Sequence, residues 1–184
     1  SLFAAFALFS FTALELANWS LDGAHSRLGF TIQHMGITDI HGQFSNFDVK
    51  ISTPNDDFAG ATIEMTAQVN SINTGIEMRD NHLKTADFFD AEKYPKMTFS
   101  GILEGNSLKG ELTIKDVTKT VALSAHFGGV VQDPYGQTKA GFELEGKISR
   151  KDFGLNWNAA LEAGGVMVSD DVKVAGELQF VKQA

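Results

Sequence analysis

The sequence predicts an all-β protein: eight antiparallel strands closed into an up-and-down barrel, interrupted by one short helical insert. Three observations carry this. Apolar and polar residues alternate with a period of two over eight separate runs, the mark of strands with one buried face. Turn residues stand at most junctions: Pro54-Asn55-Asp56, Gly105-Asn106, Lys115-Asp116, Asp133-Pro134-Tyr135-Gly136 and Gly164-Gly165. The composition, 184 residues with 18 Gly, 3 Pro and 15 Phe, suits one domain of tightly turned strands around a substantial core. Closure removes the exposed edges of consecutive antiparallel strands, which favours a barrel over the runner-up, a two-sheet sandwich.

In chain order, Leu28, Phe30 and Ile32 form the apolar face of the first run. Phe47, Val49 and Ile51 form the second, with Phe44 out of phase, which predicts a bulge near Ser45. Ala61, Ile63, Met65, Ala67 and Val69 form the third. Gly75 to Tyr94 lacks alternation; its charge mix fits one or two short helical turns, ended by Pro95. Five further runs follow at Met97–Leu103, Leu108–Ile114, Val121–Phe127, Ala140–Ile148 and Val172–Phe180.

The first seventeen residues stand apart. SLFAAFALFSFTALELA carries a single charge, Glu15, and is too short for a comfortable membrane-spanning helix of about 20 residues. It fits the apolar core of a secretory signal peptide, with Ala13 and Ala17 near cleavage points. Residues 1–17 are therefore expected to be a signal-peptide remnant, and 18–184 the domain, placed in the periplasm or outside the cell. The net charge of −8 argues against nucleic acid as a partner, since phosphate neutralisation needs clustered cations. The absence of cysteine excludes disulfides, thiolate metal sites and a thiol nucleophile.

A barrel of this size is either packed solid or holds one ligand. Glycine recurs on the predicted inner face: Gly101 between Phe99 and Leu103, Gly110 between Leu108 and Leu112, Gly146 between Leu144 and Ile148, Gly176 between Val174 and Leu178. Such small residues are expected to leave the interior open; the competing reading is that they let strands bend at barrel corners. A cavity lined by Phe, Leu, Ile, Val and Met suits a long apolar guest, each buried methylene contributing about 0.8 kcal/mol.

The motifs then become recognisable. His25-Ser26 through Phe30 and His34, Gly42-Gln43-Phe44, Ser71-Ile72-Asn73-Thr74, Asp80 to Asp90 with Tyr94-Pro95, and Arg150-Lys151-Asp152-Phe153-Gly154 occur in order. Together they resemble the YceI-like family of bacterial polyisoprenoid-binding proteins, over Trp19 to Phe180. Thr85 departs mildly from a position where serine is common in that family. The resemblance implies an extended, lipocalin-like barrel in the periplasm, often dimeric. It also implies an elongated apolar tunnel holding an isoprenoid lipid, such as ubiquinone or polyprenyl phosphate, or another long amphiphile. No catalytic cofactor is expected.

On this reading Phe30, Ile32, Phe47, Val49, Ile63, Met65, Phe99, Leu112, Phe127, Phe142 and Leu144 line the tunnel, together with Phe44. Leu83, Phe88 and Phe89 close or shape it. His34 shares the parity of Phe30 and Ile32, so it points inward and meets a head group or a buried partner. Arg150 is either half of a salt bridge or a clamp on an anionic head group. The five histidines lack metal-site spacing, so no metal is expected. Asp80, His82 and Asp87 fit a structural network holding the insert better than an acid–base cluster, because Ser26 and Ser71 lack a nucleophile elbow. The function expected is non-enzymatic lipid carriage or sequestration. Its alternatives are an enzyme acting on a barrel-bound lipid and a solid-barrel module for sugar or protein.

Overall fold

A computed structural model describes residues 15–184. Most of the expected export segment, residues 1–14, lies outside the described residues. The strands are β1 (Ala17–Leu21), β2 (Arg27–His34), β3 (Thr38–Phe44), β4 (Phe47–Thr53), β5 (Thr62–Gln68), β6 (Ile72–Asn73), β7 (Lys96–Glu104), β8 (Ser107–Ile114), β9 (Val117–Gln132), β10 (Thr138–Ser149) and β11 (Val168–Lys182). One helix, α1 (Glu77–Leu83), lies between β6 and β7 and is the expected insert.

These strands form one closed sheet. Its order runs β1-β4-β5-β7-β8-β9-β10-β11, and β11 returns to pair with β1. The long β11 reaches both β1 and β2: Phe180 sits opposite Leu21, and Val174 opposite Phe30. So β1 and β2 are one stave broken by a 3-10 turn at Gly23–His25, β3 and β4 a second, and β5 and β6 a third. Counted by stave, the architecture is an eight-stranded antiparallel barrel, and closure disposes of the sandwich.

The second stave corrects one expectation. At Ser45 there is a break rather than a bulge: the Ser45 amide donates to the Ser71 carbonyl (3.1 Å), and the Gln68 amide donates to the Asn46 carbonyl (2.9 Å). A bulge does occur elsewhere, where Gly128 has no partner between the pairs Gly141–Gly129 and Phe142–Phe127. Neither β1 nor β3 stood out in the sequence. The run of β1 is short and follows an apolar tract, while β3 carries Thr38, Asp39, His41 and Gln43.

One end of the barrel is filled with rings. Phe58, in the loop between β4 and β5, is fully buried and adopts a left-handed backbone (φ +61°). Its ring centroid lies 5.1 Å from Trp19, 5.2 Å from Phe127 and 5.1 Å from Phe142, and Phe142 continues the cluster to Phe180 at 6.0 Å. Tilted and edge-on pairs at these spacings add to the area they bury. This plug closes the barrel.

Polar groups pin the same end. Asp22, at the break between β1 and β2, accepts from Lys139 Nζ, Gln179 Nε2 and His25 Nδ1, each at 3.0 Å. Burial opposes its charge, but the hydrogen bonds of Lys139, His25 and Gln179 outweigh that and hold its pKa at about 2, against an ordinary 3.8. A depressed carboxylate stabilises the fold above its unfolded pKa and loses that contribution as pH falls through the folded value. Acid titration of the unfolding free energy is therefore expected to show a loss of about 1–2 kcal/mol, after solvent screening, between pH 4 and pH 2. Asp22→Asn should flatten that segment of the curve; an unchanged profile contradicts the assignment.

The inward glycines work differently from the expectation. A Cβ on Gly101 would come within 2.6 Å of the Phe99 ring, and one on Gly110 would meet both that ring and the Ser100 carbonyl oxygen. Gly146 is likewise covered by a Leu123 methyl, and Gly42 by the Phe30 ring. These positions are not voids. They are seats that let Phe30, Phe99 and Leu123 lie against the wall instead of projecting across the lumen, as aromatic cover of strand glycines does elsewhere.

Candidate functional site

Beyond the plug, the interior is hollow. A cavity of about 810 Å³ runs up the barrel and opens at the opposite end, a volume in the range of small-molecule sites. Its walls follow from the period-two pattern. Ile32, Val49, Ile63, Met65, Leu112 and Leu144 project from five different strands, and Phe30, Phe44 and Phe99 join them. Leu83, Phe88 and Phe89, from α1 and the turn after it, cover part of the opening, with the Phe89 ring edge-on to Phe44 at 6.0 Å. His34 and Arg150 also border the cavity.

Three residues expected in the lining are elsewhere. Phe127 and Phe142 have the inward parity but sit at the closed end, in the plug. Phe47 is half-buried at the start of β4 and packs on the core without reaching the cavity. Parity gives the face a side chain points to; it does not give the height along the barrel axis. Consequently the expected apolar tunnel stops short of these rings.

Other lining residues went unrecognised. Val121, Leu123, Ile148, Val172, Val174 and Leu178 share the inward parity and were signalled by it. Trp157 was not: it lies in the loop after Gly154, and only its tertiary contacts place it in the wall. Its ring meets His82 edge-on (5.2 Å) and Phe88 at a tilt (5.1 Å), and those two rings in turn face each other edge-on at 5.1 Å. That trio joins the helical insert to the loop between β10 and β11 and narrows the mouth.

The mouth is also where the polar groups gather. His34, Thr38, Thr74, Arg79 and His82 border it. Arg79 Nε donates to Thr74 Oγ1 (2.7 Å) and Nη2 to the Thr74 carbonyl (2.8 Å). Asp80 does not join His82 and Asp87 in one cluster. It accepts from the Thr74 amide and hydroxyl (2.8 and 2.6 Å), whereas His82 Nε2 meets Asp87 Oδ2 at 2.7 Å. The Ser26 hydroxyl engages the Gln179 backbone and the Ser71 hydroxyl the Gln68 carbonyl, so neither faces a histidine base. Among the described residues, no group of three or more His, Asp or Glu is placed to hold a metal ion.

Arg150 resolves in favour of the structural role. It is 4% exposed, and its guanidinium donates from Nε to the Ser169 carbonyl (2.8 Å) and from Nη1 to the carbonyls of Leu155 (2.5 Å) and Trp157 (2.8 Å). Nη2 lies 3.5 Å from Asp170 Oδ1. Burial pulls its pKa below the ordinary guanidinium value, and the Asp170 charge pulls the other way. Only its flank is left for a ligand; the charged end fastens the loop that carries Trp157.

A closed antiparallel barrel with one plugged end and an apolar interior is a lipocalin-like barrel built around a ligand-sized cavity. The YceI-like domain model matches residues 19–180, and the chain belongs to that family. Among its relatives, the UPF0312 protein SA2479 of Staphylococcus aureus is 40% identical over 169 residues, covering 90% of this chain and 98% of the relative. The Campylobacter jejuni YCEI protein has a crystal structure that superposes with a TM-score of 0.70 at 34% identity, covering 89% of this chain and 97% of that one. Burkholderia cenocepacia BcnA superposes at 0.71 with 25% identity, covering 86% and 98%. A polyisoprenoid binding domain from Saccharophagus degradans shares the fold, with a TM-score of 0.70 at 19% identity over 92% and 100%.

Proposed function

We propose that the chain binds a long-chain isoprenoid lipid, of the isoprenoid quinone or polyprenyl phosphate type, and carries or sequesters it without chemical conversion. The observation that carries this reading is the blind, apolar cavity of about 810 Å³, polar only at its mouth. An interior of this kind favours a guest with a long apolar body and one polar end, held by removal of its surface from water at about 25 cal/mol per Å². His34, Thr38, Arg79 and His82 are the side chains that would meet the head group. Family membership and the shared fold of a polyisoprenoid binding domain support the isoprenoid class. The hydroxyls of Ser26 and Ser71, bonded to backbone, favour binding over acyl-transfer chemistry. The composition of residues 1–17 supports a periplasmic or secreted location.

The two tryptophans supply the assay, since Trp157 stands in the cavity wall and Trp19 in the plug. Titration with a long-chain isoprenoid alcohol is expected to change the emission saturably. Val121→Phe combined with Val174→Phe adds two rings at half-buried lining positions and should weaken binding about tenfold or more. The urea midpoint should be preserved. Equal titration by the filled and native barrels would refute binding in this cavity.

A further inference from the structure

We propose that the open end of the barrel is a membrane-docking rim, which dips into the apolar layer of a bilayer so that a lipid enters the cavity without crossing water. This rests on the lipid-binding reading and adds to it a surface and a partner. Large apolar side chains on the loops at this end are exposed: Ile37 is 75% and Met78 83% exposed, and Met35, Ile76 and Val166 are exposed as well. They stand on three neighbouring tips, namely the turn between β2 and β3, the start of α1, and the loop before β11. The first and third are joined, because the Met35 amide donates to the Met167 carbonyl at 2.8 Å. Ile76 and Met78 also border the cavity, so the exposed rim and the buried lining form one continuous apolar surface.

Backbone strain marks the same place. Met35 and Gly36 both have positive φ (+52° and +73°), and the Ile37 amide donates to the His34 carbonyl at 3.1 Å. A β-turn with positive φ at both central residues prefers Asn or Asp at the first of them. A bulky residue there is an outlier, and strain of this kind concentrates at functional sites. Here methionine occupies a position where asparagine would fold better and projects apolar surface into solvent.

A bilayer is the occupant the chemistry favours. Moving a long chain through water lowers its transfer rate about fourfold per exposed methylene, which an apolar mouth seated in hydrocarbon avoids. No helix among the described residues is long and apolar enough to cross a membrane. With a net charge of −8, the chain should dock by apolar contact on zwitterionic surfaces and be repelled by anionic ones.

The absence of cysteine makes the test site-specific. Ile37→Cys at the rim and Val131→Cys at the opposite end (66% exposed in the native chain) are each labelled with an environment-sensitive fluorophore in the full chain. Phosphatidylcholine vesicles should raise the emission of the I37C label several-fold and leave the V131C label unchanged. Brominated lipid should quench only the former. Adding Met35→Asn and Met78→Gln in the I37C background should lower vesicle partition about tenfold or more without lowering the urea midpoint. No response at I37C, or an equal response at both sites, overturns the proposal. So does a concentration-dependent rise at I37C without vesicles, which assigns the rim to a second copy of the chain. Lipid titration by Trp157 emission is read in parallel: docking without lipid uptake sinks the lipid reading, and uptake without docking sinks only the rim.

Discussion

Phe58→Ala is expected to destabilise the protein by about 3–5 kcal/mol and to lengthen its cavity toward the closed end. Phe58 is the hub of the plug: it touches Trp19, Phe127 and Phe142 at 5.1–5.2 Å between centroids and is fully buried. Removing the ring leaves a void whose walls are other rings, anchored on strands that cannot collapse inward without breaking the barrel ladder. Urea unfolding measures the first effect. The second predicts a preference shifted toward longer isoprenoid chains, measured by competition between two chain lengths. A loss under 1 kcal/mol, or an unchanged length preference, would show that the plug does not set the depth of the cavity.

Arg150→Met should be nearly as damaging, at about 3–5 kcal/mol. Methionine keeps the apolar stem, so the loss falls on the guanidinium and on the carbonyls of Leu155, Trp157 and Ser169 that it satisfies. Buried carbonyls left without donors each cost about 1–3 kcal/mol. Asp170→Asn is the control: its carboxylate is about half exposed, so its removal should cost about 1 kcal/mol or less. If Arg150 acted chiefly through the ion pair, the two variants would be equally damaging. In lipid titrations, R150M should also loosen Trp157 and raise the dissociation rate more than it lowers the association rate.

The legible part of the molecule was the part governed by local periodicity. Ile63 and Met65 on β5, or Leu112 on β8, announced their inward direction by alternation with Glu64, Thr66 and Glu111, and the structure places all three in the wall. The insert was legible through the lapse of that alternation. What alternation omits is depth, which is why Phe127 and Phe142 passed for lining while belonging to the plug. The residue that makes the plug, Phe58, sits in a loop, where no period applies and where a left-handed phenylalanine has no sequence signature. Arg150 was ambiguous for a related reason: its acceptors are carbonyls up to nineteen positions away, a partner set that only the fold assembles. Gly101 and Gly110 were read as inward, but that the Phe99 ring reaches past Gly101 on its own strand to cover Gly110 as well depends on cross-strand register.

The central claim is that a long apolar molecule occupies the barrel. Organic extraction of the purified full-length protein, followed by mass spectrometry of the extract, tests it most directly. The expected result is a long-chain isoprenoid in near-equimolar amount from the native protein, and a depleted extract from the chain carrying Val121→Phe and Val174→Phe. Native extracts with no long-chain lipid, combined with failure of added isoprenoid to bind, would contradict the account.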